Sequence, residues 1–149
     1  MSEPAWTYPH RDLGEPALPD GSPVCRPTVR VHIEGLSENL LAVVDSGSPI
    51  SVADAQLFSW LGVDLSTAQP LYEVPLSLGS TFGRIPVFGV TLSLRSPEES
   101  DRQLISWDLH LGARPNWRLP FAILFGQRGW FDRFPTTIDR SHTIVHTAQ

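Results

Sequence analysis

Residues 40–52 read Leu-Leu-Ala-Val-Val-Asp-Ser-Gly-Ser-Pro-Ile-Ser-Val. An apolar run ends abruptly in Asp45, and Ser46, Gly47, Ser48 and Pro49 turn the chain at once. A carboxylate carried out of the end of a buried strand can take up and release protons. The tripeptide also reads as a simple β-turn, because Asp favours turn starts and Gly supplies positive φ. Its context adds information: two apolar residues precede Asp45 directly, Ser48 follows the glycine, and Ile50 and Val52 return the chain to apolar surroundings. His142 and His146 have the spacing of metal ligands on a helix, but Thr-Ile-Val between them favours a strand and no Glu adjoins His142. Cys25 lies among prolines with no evident base partner. Residues 14–23, Gly- and Pro-rich, open no helix and so form no phosphate cradle. No metal or organic cofactor is expected.

The elements that must position Asp45 are mostly strands. Val29, Val31 and Ile33 alternate with Thr28, Arg30, His32 and Glu34, as in a half-buried strand. Residues 40–44 form a second strand, apolar on both faces. Ser51 as N-cap, Asp54 three places on and Gly62 as terminator predict a short helix between them. Residues 72–79, 84–94 and 103–112 favour strands, with Ile105, Trp107, Leu109 and Leu111 on one face. Residues 121–126 read as a buried strand, 127–134 as one or two helical turns, and 136–139 and 142–147 as short strands. Seven or eight strands with one or two short helices make an all-β barrel or sandwich. Residues 1–27 hold six of the fourteen prolines without periodicity and read as an irregular N-terminal arm, leaving 28–149 as the domain.

Bulk properties narrow the function. A length of 149 residues with 41% hydrophobic residues suits one domain with a real core. The net charge of −5 argues against nucleic acid as partner. No apolar stretch reaches the length of a membrane span, and the N-terminus lacks the pattern of a secretory signal. A lone cysteine excludes an internal disulfide framework and makes the cytoplasm the default compartment.

The stretch Val43-Val44-Asp45-Ser46-Gly47-Ser48 resembles the active-site loop of aspartic proteases: two apolar residues, then Asp, Ser or Thr, Gly, and Ala or Ser. The retropepsin-like branch carries one such loop per chain and a late apolar-apolar-Gly step, matched here by Leu124-Phe125-Gly126. Element order agrees over roughly residues 28–147. The chain departs from retroviral members in having Gln127 directly after that glycine, with Arg128 one place on, and Pro49 where many members are polar.

The resemblance implies a closed-barrel, retropepsin-like acid-protease fold and a homodimeric aspartic endopeptidase. Two carboxylates at contact distance cannot both ionise, so they share a proton and one serves as acid while the other is base. Asp108 and Asp139 also follow apolar residues, but neither precedes Ser-Gly or Thr-Gly, so the second carboxylate must be the Asp45 of a second chain. The resemblance gives Ser46 a hydrogen bond across the two-fold axis, Gly47 a close backbone approach, and Ser48 a hydrogen bond to an Asp oxygen. It makes Gly79, Ser80, Thr81, Phe82 and Gly83 the flap over a peptide substrate, which an ordinary hairpin tip would fit equally. It assigns structural support to Leu124, Phe125, Gly126 and Arg128, and lets residues 137–147 interleave with a partner's strands. The alternative is a catalytically silent dimerisation or peptide-binding module on the same fold.

Overall fold

The structure, a computed structural model, describes residues 5–78, 81–98, 100 and 102–147, without the side chains of residues 78, 81 and 82. Strands β1 (Ala5–Pro9), β2 (Arg11–Asp12) and β3 (Cys25–Arg26) come from the N-terminal arm. They are followed by β4 (Thr28–Ile33), β5 (Asn39–Val44), β6 (Val52–Asp54) and the single described helix, α1 (Ala55–Trp60). Then come β7 (Tyr72–Leu78), β8 (Thr81–Arg95), β9 (Gln103–Arg114), β10 (Ile123–Phe125), β11 (Thr136–Ile138) and β12 (His142–His146).

The main sheet runs β4-β5-β10-β6-β9-β8-β7, and β4 also pairs with β8. That extra pairing closes six strands into a barrel and leaves β7 as a hairpin arm on β8. Closure removes the open edges that would otherwise invite aggregation. Pro75 lies within β7, the edge strand, where a missing N–H costs no ladder bond. The alternating apolar positions point inward as their period requires: Val29, Val31 and Ile33 on β4, and Trp107, Leu109 and Leu111 on β9, are buried. Ala42, Val43 and Val44, read as apolar on both faces, are buried between β4 and β10.

Three expectations need correction. The arm is not irregular throughout: β1 pairs antiparallel with β12 from Ala5↔His146 to Pro9↔His142, and β2 pairs with β3. Its anchor is Tyr8, a side chain buried in the core whose hydroxyl donates to the Arg95 carbonyl. Burial raises the phenol's pKa well above its ordinary value, with Arg30 opposing. Within the chain, β12 is flanked by β1 on one side and β11 on the other, so that β1 and β11 are the edges of a three-stranded sheet. Ser51 does not cap α1. The cap is Asp54, whose carboxylate accepts from the Gln56 N–H at 3.0 Å, while Gly62, with φ of 85°, takes the terminating role expected of it. Residues 127–134 form successive turns rather than helix, because Gly129 sits at φ 103°.

The long β8–β9 hairpin accounts for the extended segment after residue 95. Its connection is tied down by the Arg30 guanidinium, which donates to the carbonyls of Ser96, Glu98 and Ser100. Gly79 and Ser80 lie outside the described residues. Thr81 and Phe82 belong to the β7–β8 ladder opposite Leu78 and Ser77, and Gly83 is opposite Leu76.

Because Tyr8 joins the arm to the barrel core, Tyr8→Ala is expected to destabilise the fold by about 3–5 kcal/mol. Trp60, 62% exposed on α1, is the contrast: Trp60→Ala should move stability by no more than about 0.5 kcal/mol. Urea denaturation of the two variants at equal concentration checks both values, and equal midpoints would remove the arm from the cooperative unit.

Candidate active site

The site is built where one strand runs between two others. β10 pairs parallel with β5, from Ile123↔Ala42 to Phe125↔Val44, and antiparallel with β6 through Ile123↔Ala53 and Leu124↔Val52. Residues 45–51 connect β5 to β6 and must therefore arch over the C-terminal end of β10. The arch is held by backbone bonds on both sides. Asp45 N–H donates to the Phe125 carbonyl at 2.8 Å, and Gln127 N–H donates to the Ser48 carbonyl at 2.8 Å. Arg128 N–H reaches the Pro49 carbonyl at 3.3 Å.

Gly126 lies directly beneath. A Cβ there would stand 2.3 Å from the Ile50 carbonyl oxygen and 2.5 Å from that of Ser48, closer than any side chain can approach. Both obstacles are backbone, so no rotamer change relieves them. Ser51 joins the two layers. Its hydroxyl accepts from the Gly126 N–H at 3.0 Å and donates to the Arg128 carbonyl at 2.7 Å, in a buried position. The pattern of residue types gave Ser51 to a helix cap. Its real task depends on residues 75 and 77 positions away, which local spacing does not carry.

The arch presents Asp45, Ser46 and Gly47 to solvent. Within it the Ser48 N–H donates to the Asp45 carbonyl at 3.2 Å, and the Gly47 N–H donates to Asp45 Oδ1 at 2.9 Å. This bond fixes one carboxylate oxygen of an exposed residue, and a carboxylate keeps further acceptor capacity on its second oxygen. Gly47 is not among the glycines at positive φ. It leaves room for the carboxylate, because a Cβ would lie a tight 3.2 Å from Asp45 Oδ1 and press on it. The Ser48 hydroxyl does not reach an Asp oxygen as expected; it donates to the Ile50 carbonyl at 2.7 Å.

The residues after Gly126 divide differently from the expectation. Arg128 supports the arch through its backbone alone, while its exposed side chain lines a separate cavity with Asp108, His110 and Asp132. Gln127, set down as a departure from the retroviral pattern, takes up part of the work: its side-chain amide donates to the Ser46 carbonyl. Phe125 is buried and Leu124 half-buried. Phe125 belongs to an aromatic cluster with Trp107, Trp130 and Phe134, whose ring centroids lie 4.7–5.9 Å apart. The Trp107 indole N–H donates to the Gly129 carbonyl at 3.0 Å, so the cluster grips the turn that carries the arch.

The other carboxylates considered are engaged elsewhere. Asp108 accepts from the Thr91 hydroxyl at 2.6 Å on the outward face of the β8–β9 ladder. Asp139 accepts from the Ser141 and His142 N–H groups in the β11–β12 turn, which hold its carboxyl below the ordinary range. His142 and His146 lie on β12, with His146 bonded to the Thr137 hydroxyl. Among the described residues no group of three His, Cys, Asp or Glu side chains is placed to hold a metal ion.

No family profile matches the chain, and no curated protein matches it in sequence. Solved structures do match. A retropepsin-like aspartic protease from Rickettsia conorii superposes with a TM-score of 0.58 at 14% identity, covering 99% of this chain and 95% of that one. The retroviral protease-like domain of Ddi1 from Leishmania major gives 0.49 at 13% identity, over 80% of this chain and 93% of that one. The simian foamy virus protease gives 0.42 at 16% identity, over 67% and 87%.

Gly126→Ala is expected to cost at least about 1–3 kcal/mol by forcing the arch off β10. Ser51→Ala, which strands the Gly126 N–H and the Arg128 carbonyl in a buried place, should cost about 1–3 kcal/mol. Equilibrium denaturation reads both, and wild-type stability in Gly126→Ala would contradict the contact described.

Proposed function

From the retropepsin-like fold, which this chain has over nearly its whole length, we propose that it is one half of a homodimeric aspartic endopeptidase. The observation that carries this reading is the arch itself: a solvent-facing carboxylate, fixed by the Gly47 N–H on a loop tied to β10 from both sides. A rigid loop of that kind suits a group that must meet a second one at contact distance.

Two Asp45 side chains, one per chain, share a single proton across a two-fold axis. The ionised one takes a proton from a water between them, and the water oxygen bonds to the peptide carbonyl carbon. The protonated one delivers its proton to the carbonyl oxygen, giving a non-covalent tetrahedral intermediate. Collapse of that intermediate breaks the C–N bond: the departing nitrogen takes a proton from the protonated Asp45, and one hydroxyl of the intermediate returns its proton to the other, so the pair again holds one proton. Ser46 hydrogen-bonds to its counterpart and fixes the spacing of the two arches. The β7–β8 hairpins cover an extended peptide and bond to its backbone as a strand would.

Purified full-length protein should cleave an unstructured polypeptide at mildly acidic pH. Asp45→Asn should lower the rate on the order of 10²–10⁴-fold, as expected when a positioned acid–base group is removed. Sedimentation of the same samples should give the mass of two chains. Equal, background-level cleavage by wild type and variant across the acid range would leave the silent binding-module reading. A strictly monomeric protein at high concentration would exclude the shared dyad.

A further inference from the structure

The arm brings a cation to Asp45. β4 and β5 pair so that Thr28 lies opposite Val43, and the Val44 N–H donates to the Pro27 carbonyl at 2.9 Å. Arg26 and Asp45 come next on the two segments, and the Asp45 charge acts on Arg26. The Arg26 guanidinium itself is bonded to the arm. Its Nε and Nη2 donate to the two carboxylate oxygens of Glu15 at 2.6 and 2.7 Å. The β2–β3 ladder completes the arrangement by placing Arg11 opposite Arg26 and Asp12 opposite Cys25.

We propose that the Glu15–Arg26 pair is a positioning clasp for the active-site carboxylate, in which Glu15 holds the guanidinium off Asp45 and cancels most of its field there. The inference rests on the aspartic-protease reading above, because it concerns how the proposed dyad keeps its one shared proton. An arginine bonded straight to Asp45 would favour the ionised form, and two ionised carboxylates cannot divide the roles of acid and base. An unpaired Glu15 in that place would do the reverse. The bidentate pair leaves a nearly neutral unit beside the site.

The electrostatics agree with this geometry. The Glu15 hydrogen bond, and after it the charges of Glu15 and Asp45, raise the pKa of Arg26, with burial opposing. Arg26 in turn holds the Glu15 carboxyl below its ordinary range. The charged groups of this part of the arm are Arg11, Asp12, Glu15 and Arg26, of which Arg26 interacts with the Asp45 charge. On the other side of the arch, the turn after β10 contributes neutral Gln127, bonded to the arch, and Arg128, whose side chain lines the cavity shared with Asp108 and Asp132. The arm pair is thus a charged unit just beyond the β4–β5 ladder, Arg26 being next in sequence to Pro27 and Asp45 to Val44, which are bonded to each other.

The test compares wild type, Glu15→Gln, Arg26→Gln and the double variant, each checked for folding by circular dichroism. The Asp45 carboxyl resonance is titrated by ¹³C NMR, assigned with Asp45→Asn. Glu15→Gln frees a net positive charge, so the titration should move to lower pH. Arg26→Gln leaves a net negative charge and should move it to higher pH. The double variant should return towards wild type. The alkaline limb of the cleavage rate should follow in the same directions, as an apparent property of the pair. Superimposable Asp45 titrations in all four proteins would overturn the clasp. Because the NMR titration needs no turnover, a folded but inactive wild type would defeat the protease reading alone, while the opposed shifts would still establish the clasp.

Discussion

The site depends on the close approach between Gly126 and the carbonyls of Ser48 and Ile50. β10 can lie between β5 and β6 only if the connection between those two strands passes over its end. That connection can then sit low enough to bond to β10 only if no side chain stands beneath it. With Gly126 in place, the arch donates to Phe125 and accepts from Gln127 and Arg128 along its length. A larger residue would lift the arch and break these bonds together, since all of them cross the same gap.

Rigidity is supplied from below. Phe125, the residue before the glycine, is fully buried against Trp107 and Trp130, and Trp107 also hydrogen-bonds the turn at Gly129. Large rings in fixed contact leave little freedom for the backbone they flank. Ser51 then transfers that position to the arch with two hydrogen bonds from one hydroxyl. A chain of contacts therefore runs from the aromatic cluster to β10, to Ser51, to the loop that presents Asp45. The links from Trp107 to Phe125 and from Ser51 to Gly126 and Arg128 join residues remote in sequence, as a closed barrel with a crossed connection requires.

That remoteness explains what the sequence could and could not disclose. Eight of the nine strands between residues 28 and 147 were legible, because each carries its own alternation or apolar run, as in Val29-Val31-Ile33 and Trp107-Leu109-Leu111, whereas the three-residue β6 was read as the start of the helix. Asp45 stood out through the contrast of a charge with the apolar run before it. The arm strands escaped notice because prolines interrupt their pattern, and β1 is specified by its partner β12 rather than by its own periodicity. Ser51 and Gln127 were assigned by local grammar, one as a cap and one as a departure, whereas their bonds are set by register between distant strands. Gly129 is the converse case: a local property, its positive φ, turned an apparent helix into successive turns.

On the proposed reading, the geometry also makes chemistry a property of association. A single chain fixes one carboxylate at the surface and ties the other carboxylates of similar setting, Asp108 and Asp139, into unrelated hydrogen bonds. Within one chain, then, Asp45 has no counterpart loop with which to share a proton. Within the chain β12 is paired on both sides, and β1 and β11 are the edge strands of that small sheet. The arches, exposed at Asp45, Ser46 and Gly47, would form part of the contact between two chains on this reading. By mass action, catalytic competence would then follow protein concentration through the association step. The fold of the half-site is complete in one molecule, and what association adds is the second charge.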